Sequence, residues 1–137
     1  MRISQKLDYA CRAMIQLAKR HDGKTLTRLE EIAQREAVSA NFLVQILNDL
    51  KRTGLVDSRR GKSGGYLLPR DPAEINLLDI TLAVEPGILA SHPAGDGESS
   101  QVLRLTWNGL SLQIRRHLES LTLRQLVDRG GEPMYYI

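Results

Sequence analysis

Thiols are almost absent from this chain of 137 residues, in which Cys11 is the single cysteine. That excludes an intrachain disulfide and fits a reducing compartment. Aromatic side chains make up only 4% of the sequence, so a core has to be built mainly from aliphatic ones. No apolar run approaches the ~20 residues of a membrane span. The opening MRISQKLDYA has no continuous apolar segment of the kind that marks a secretory signal. The expected location is the cytoplasm. Nucleophile–base pairs and metal-ligand clusters are missing too, and Gly61-Lys62-Ser63 lacks the upstream glycine of a phosphate loop. The chain is not expected to be an enzyme, and no metal or cofactor is expected.

Localised positive charge is what the chain does have. Between Lys51 and Arg70 stand six basic side chains (Lys51, Arg52, Arg59, Arg60, Lys62, Arg70) against the single acid Asp57, a local charge of +5. The whole chain carries only +3, so the remainder sums to −2. The stretch reads as the end of a helix, a strand beginning at Leu55-Val56, a turn rich in Gly and Arg, and a return strand Tyr66-Leu67-Leu68. A basic hairpin directly after a helix suits a polyanion partner.

The spacing of apolar residues predicts a mainly α protein. Leu7, Ala10, Cys11, Met14, Ile15 and Ala18 define one face of a first helix over residues 4–20, with Ser4 as its N-cap. Thr27 followed by Glu30 matches a capping box for a second helix, whose stripe is Leu29, Ile32 and Ala33. Ser39 reads as the N-cap of a third helix that buries Leu43, Ile46, Leu47 and Leu50. Its opposite face carries Asn41, Gln45, Asn48 and Arg52. Amide side chains offer a donor and an acceptor together, the pattern that reads adenine in the major groove. On this helix alone, solvated polar filler is an equal reading. Two short helices with a tight turn, followed by the basic hairpin, favour DNA. Arg59 or Arg60 at the hairpin tip suits a minor groove, against the plainer reading of a solvated charged hairpin guarding its own edges.

Further on, Asn76 is a cap for a fourth helix with Asp79 in its first turn and Leu77, Ile80 and Val84 in its stripe, ending at Pro86-Gly87. Ser91–Ser100 is a polar loop. A long helix over 102–121 follows, with Leu103, Trp107, Leu110, Ile114, Leu118 and Leu121 on one face and Leu105 and Leu112 widening it. A helix of that length spans ~30 Å. It is expected to lay one side on the first helix and the other on the same helix of a second chain. Thr122 with Gln125 caps a short last helix carrying Leu123, Leu126 and Val127. The expected organisation is a winged helix-turn-helix domain over 1–86, a flexible loop over 87–100, a dimerisation helix with the short last helix over 101–128, and a loose tail over 129–137.

The first helix MRISQKLDYACRAMIQLA, the segment Val38 to Leu50, the wing from Gly54 to Leu68, Ile75-Asn76-Leu77-Leu78-Asp79-Ile80 and Leu121-Thr122-Leu123 together resemble the Rrf-two family of bacterial winged-helix regulators over nearly the whole chain. The resemblance implies a homodimer that binds dyad-symmetric double-stranded DNA and usually represses. It places base contact at Ser39 and Asn41, with Gln45 beside them, and minor-groove contact at Arg60. Asn48, Arg52, Arg59 and Lys62 extend that surface. Ser4, Lys6, Arg28 and Lys51 are candidates for phosphate contact, and Gly64 and Gly65 for close backbone approach. Val44 stands at a position that a cluster-binding member uses for base reading: it can meet a thymine methyl but cannot hydrogen-bond. The larger departure is in the sensor. Cluster-binding members carry three cysteines in the segment matching Ser91 to Trp107, which here has none, although Asp8 stands where some members offer a carboxylate ligand. His92, Asp96 and Glu98 match no metal-site spacing. The expected regulator is therefore cluster-free, with a protein or small-molecule effector left open. The alternative is a winged-helix module that docks a protein instead of DNA.

Overall fold

Aliphatic stripes from five of six helices close over one another in the computed structural model, which describes residues 1–131. Helix α1 (Gln5–Lys19) begins where Ser4 Oγ accepts the Leu7 N–H at 3.1 Å. It buries Leu7, Ala10, Ala13, Met14, Leu17 and Ala18, while Cys11 and Ile15 are only half-buried. The buried arc is thus turned from the expected one. The reason is that later helices pack on α1 from several sides, which the spacing of its own residues does not reveal.

Helix α2 (Leu29–Glu36) corrects the expected cap at Thr27. The residue before the helix is Arg28, and no side chain caps it. Thr27 instead exchanges both backbone hydrogen bonds with Tyr66, each at 2.8 Å. Its backbone belongs to the hairpin, so its hydroxyl is not placed to cap. Ala37 ends α2 with φ 55°, a left-handed conformation that costs an L-residue roughly 1–2 kcal/mol. Arg12 and Gln16 of α1 both bond the Glu36 side chain, and Arg20 Nη1 reaches Glu31 Oε2 at 2.8 Å. These ties fix α2 on α1. Helix α3 (Ala40–Arg52) follows its Ser39 cap and buries Leu43, Ile46, Leu47 and Leu50 completely.

Strands β1 (Asp57–Arg59) and β2 (Gly65–Leu67) form the antiparallel wing in the register Asp57–Leu67, Ser58–Tyr66 and Arg59–Gly65. Leu55 and Val56, expected to open the first strand, precede it as buried plugs. Helix α4 (Leu77–Val84) has a reciprocal capping box between Asn76 and Asp79, with bonds of 2.9 and 3.1 Å. A short 3-10 turn lies on either side of it, at Pro72–Glu74 and Pro86–Leu89.

The 20-residue helix α5 (Ser100–Glu119) packs on α4. This corrects the expectation that it lies on α1, whose main helical neighbours are α3, α4 and the last helix, α6 (Leu123–Gly130). Thr122 and Gln125 form the expected capping box for α6. Backbone bonds of 2.9 Å from Leu77 N–H to Leu121 O and from Leu123 N–H to Ile75 O tie this return to the start of α4. Leu123 is fully buried in the winged-helix core. Of the expected tail, residues 132–137 lie outside the described residues. No helix among the described residues is long and apolar enough to cross a membrane.

Candidate nucleic-acid interface

The outer face of α3 follows from its inner one. With Leu43, Ile46, Leu47 and Leu50 inward, the helical period turns Asn41, Gln45, Asn48 and Arg52 outward, and all four are exposed, as is Ser39. The Ser39 hydroxyl accepts the Phe42 N–H at 3.5 Å and keeps its own O–H free to donate. Val44 is half-buried at the side of this face.

The wing is held in place by cations of the neighbouring helices. Lys51 Nζ donates to Ser58 Oγ at 2.6 Å, joining the end of α3 to β1. Arg28 Nη2 donates to the Lys62 carbonyl at 2.9 Å, joining the start of α2 to the wing tip. Arg59 turns back to Asp57 at 2.7 Å. That bond, with the Ser58 N–H, holds the Asp57 carboxyl below the usual carboxylate range. Lys6 and Arg52 both pair with Asp49. Arg60 and Lys62 are the expected contact cations whose side chains have no hydrogen-bond or ion-pair partner among the described residues, and both are exposed. Beside them lies a shallow groove of about 290 Å³, bounded by Arg28, Glu30, Arg59, Arg60, Gly61 and Tyr66.

Several expected contact residues therefore have structural work as well. The Ser4 hydroxyl caps α1. A Cβ on Gly65 would stand 2.6 Å from the Thr27 carbonyl oxygen, and one on Gly64 would collide with the wing's own backbone at Arg59 and Arg60. The bare backbone of both glycines is thus required by the wing itself. The acids Asp49 and Asp57, which hold three of the cations, were not among the sequence candidates. The three-residue step from Asp49 to Arg52 on one helix was the available signal.

Helix α5 buries none of its residues. Val102, Leu103, Leu105, Trp107, Leu110, Leu112 and Ile114 are 42–60% exposed. Leu118 and, just beyond the helix, Leu121 are half-buried. A hollow of about 430 Å³ continues this apolar surface toward Ile88, Leu89 and Pro93.

An amide-faced helix after a tight turn, with a basic wing strapped beside it, defines a winged helix-turn-helix protein. Residues 3–129 match the Rrf2 family, described as "Iron-dependent Transcriptional regulator", and the chain belongs to that family. It is 36% identical over 141 aligned positions to the HTH-type transcriptional regulator CymR of Bacillus subtilis, covering 100% of both chains. It is 35% identical over 131 positions to the HTH-type transcriptional regulator IscR of Sodalis glossinidius, covering 93% of this chain and 79% of that one. Among solved structures it resembles CymR, the global cysteine regulator of B. subtilis, with a TM-score of 0.80 at 35% identity over 94% of this chain and 98% of that one. It also resembles T. potens IscR, with a TM-score of 0.78 at 30% identity over 99% and 95% of the two chains.

The iron in the family's description does not fit the donors present here. A thiolate-held cluster needs several cysteines. The one available, Cys11, has its thiol pushed up to about 11, first by burial and then by the charge of Asp8, so it resists forming the thiolate a metal requires. The segment from Ser91 to Trp107 contains no cysteine. Among the described residues, no three His, Cys, Asp or Glu side chains gather where one ion could be held.

Proposed function

We propose that the protein is a homodimeric, cluster-free transcriptional repressor that binds a dyad-symmetric operator. Each α3 enters a major groove, where Asn41, Gln45 and Ser39 face base edges and Val44 offers an aliphatic contact to a thymine methyl. Arg60 at the wing tip enters the adjacent minor groove, where the negative potential favours a guanidinium. Lys62 lies beside it against the backbone. The observation that carries this reading is the pairing of an outward amide face on α3 with a wing whose tip cations, Arg60 and Lys62, are exposed and without a side-chain partner among the described residues.

The exposed apolar face of α5 supports the homodimer. Leu103, Trp107, Leu110 and Ile114 share one side of the helix and form an apolar stripe that water disfavours, and a twofold pairing of the same helix covers that stripe on both copies. Two such protomers present their α3 helices to major grooves ~34 Å apart on one side of a duplex.

Selection of genomic fragments by purified protein, followed by titration of the recovered duplex, tests the reading. Arg60→Ala is expected to weaken specific binding, and Asn41→Ala to relax the preference among base substitutions. Affinity is expected to fall steeply with salt because phosphate contacts release counterions. Equal affinity at low and moderate salt, with neither substitution having an effect, would refute it.

A further inference from the structure

Two cations near the recognition surface share one carboxylate. Asp49 Oδ2 lies 2.8 Å from Lys6 Nζ, and Asp49 Oδ1 lies 3.2 Å from Arg52 Nη1. Lys6 comes from the first turn of α1, while Asp49 and Arg52 come from the end of α3. The Asp49 side chain is 20% exposed, against 40% for Lys6 and 75% for Arg52. The acid thus lies beneath its cations, next in sequence to Asn48 of the outward amide face.

A bare carboxylate at this place would repel phosphate. With one cation on each oxygen, two positive charges answer one negative charge and the outer layer is positive. The cluster also removes freedom that long side chains otherwise lose on binding. A lysine or arginine free in water surrenders much of its rotamer freedom when it is fixed on a partner. Cations already held in place lose less, and they meet a phosphate in one position instead of many.

We propose that Asp49 is a positioning residue for DNA recognition. Its two carboxylate oxygens hold Lys6 of α1 and Arg52 of α3 in one fixed arrangement at the edge of the recognition helix. There the pair meets phosphates flanking the bases that α3 reads and sets the register of the helix in the groove. This rests on the DNA-binding reading above. It makes an acidic residue, which on charge alone opposes binding, a source of specificity: phosphate contacts fix orientation, and bases are read only once orientation is fixed.

The test compares the wild type with Asp49→Asn, which keeps the shape and removes the charge. Both are titrated against the selected duplex and a scrambled duplex across a range of salt concentrations, with thermal melting as a check on folding. In the variant, Lys6 and Arg52 are released to find any phosphate. Binding to the scrambled duplex is expected to tighten. Its log–log salt slope is expected to steepen by ~0.9 for each additional phosphate neutralised. The ratio of specific to non-specific affinity is expected to fall about tenfold, the scale of one charge-assisted hydrogen bond losing its geometry. Asp49→Glu restores the charge and is expected to recover most of that ratio. A folded Asp49→Asn protein with wild-type slope and ratio would overturn the proposal. Should that variant not fold, Lys6→Gln leaves α3 intact and is expected to lower the same ratio; an unchanged ratio there overturns it equally. A wild type that binds neither duplex would remove the DNA-binding reading itself, and this inference with it, an outcome distinct from unchanged variants.

Discussion

Helices α3 and α5 carry the same kind of sequence pattern and meet opposite ends. Both repeat large aliphatic residues three or four apart. In α3 the stripe of Leu43, Ile46, Leu47 and Leu50 is completely buried by neighbouring elements. In α5 the stripe of Leu103, Trp107, Leu110 and Ile114 is about half exposed, and the helix rests on α4 along only part of its surface. Periodicity therefore tells which face is apolar and nothing about what covers it. A covered stripe holds a domain together, whereas an uncovered one is available to hold two molecules together.

The largest expected effect lies on the covered stripe. Ile46→Ala is expected to cost ~2–5 kcal/mol of folding stability in chemical denaturation, because the surrounding core collapses only partly into the space left. On the uncovered stripe, Trp107→Ala is expected to act on association instead. The proposed dimer should weaken by ~2 kcal/mol or more, the scale of a central aromatic anchor, as measured by sedimentation across concentrations. If Trp107→Ala reduced the stability of the isolated chain as much as Ile46→Ala does, the contrast between the two helices would fail.

A smaller effect marks where the chain passes from the uncovered region back to the covered one. Thr122→Ala removes half of the capping box that starts α6 and is expected to cost ~1 kcal/mol, read as a lower melting temperature. An effect confined to high pH sharpens the intermediate case, Cys11 on the flank of the core. Its folded thiol ionises at about 11 against an ordinary 9.0, raised by burial and then by Asp8. A raised value stabilises the fold below the ordinary thiol range, and that contribution is lost as pH climbs toward 11. Wild-type stability is therefore expected to decline between those two values more than that of Cys11→Ala, as followed by denaturant midpoint. Parallel curves would place Cys11 with the solvated residues.

Local devices were legible in the sequence because both partners lie within one turn. Ser4, Ser39, Asn76 and Thr122 cap the helices they were expected to cap. Thr27 carried the same signature and did something else, since its backbone partner, Tyr66, comes from the wing. The outward face of α3 and the placing of charge on the wing could also be read directly, because helical period and hairpin turn chemistry are local. The division of those cations was not legible. Which of Lys6, Lys51, Arg52, Arg59, Arg60 and Lys62 are tied down depends in part on groups brought near by folding: Lys6–Asp49 and Lys51–Ser58 join separate elements, whereas Arg52–Asp49 and Arg59–Asp57 are local. The same holds for Gly65, whose missing side chain is explained by the carbonyl of Thr27.

By itself, the sequence determined the helical elements, their apolar faces, the basic wing and the lack of thiols for a cluster. Each of these follows from residue type and short-range spacing. Only the tertiary structure decided that α5 lies on α4, that α6 returns to close the core against α1, and that Asp49 gathers Lys6 and Arg52 at the end of α3. Those outcomes depend on which surfaces meet, and a pattern along one chain specifies a surface without naming its partner.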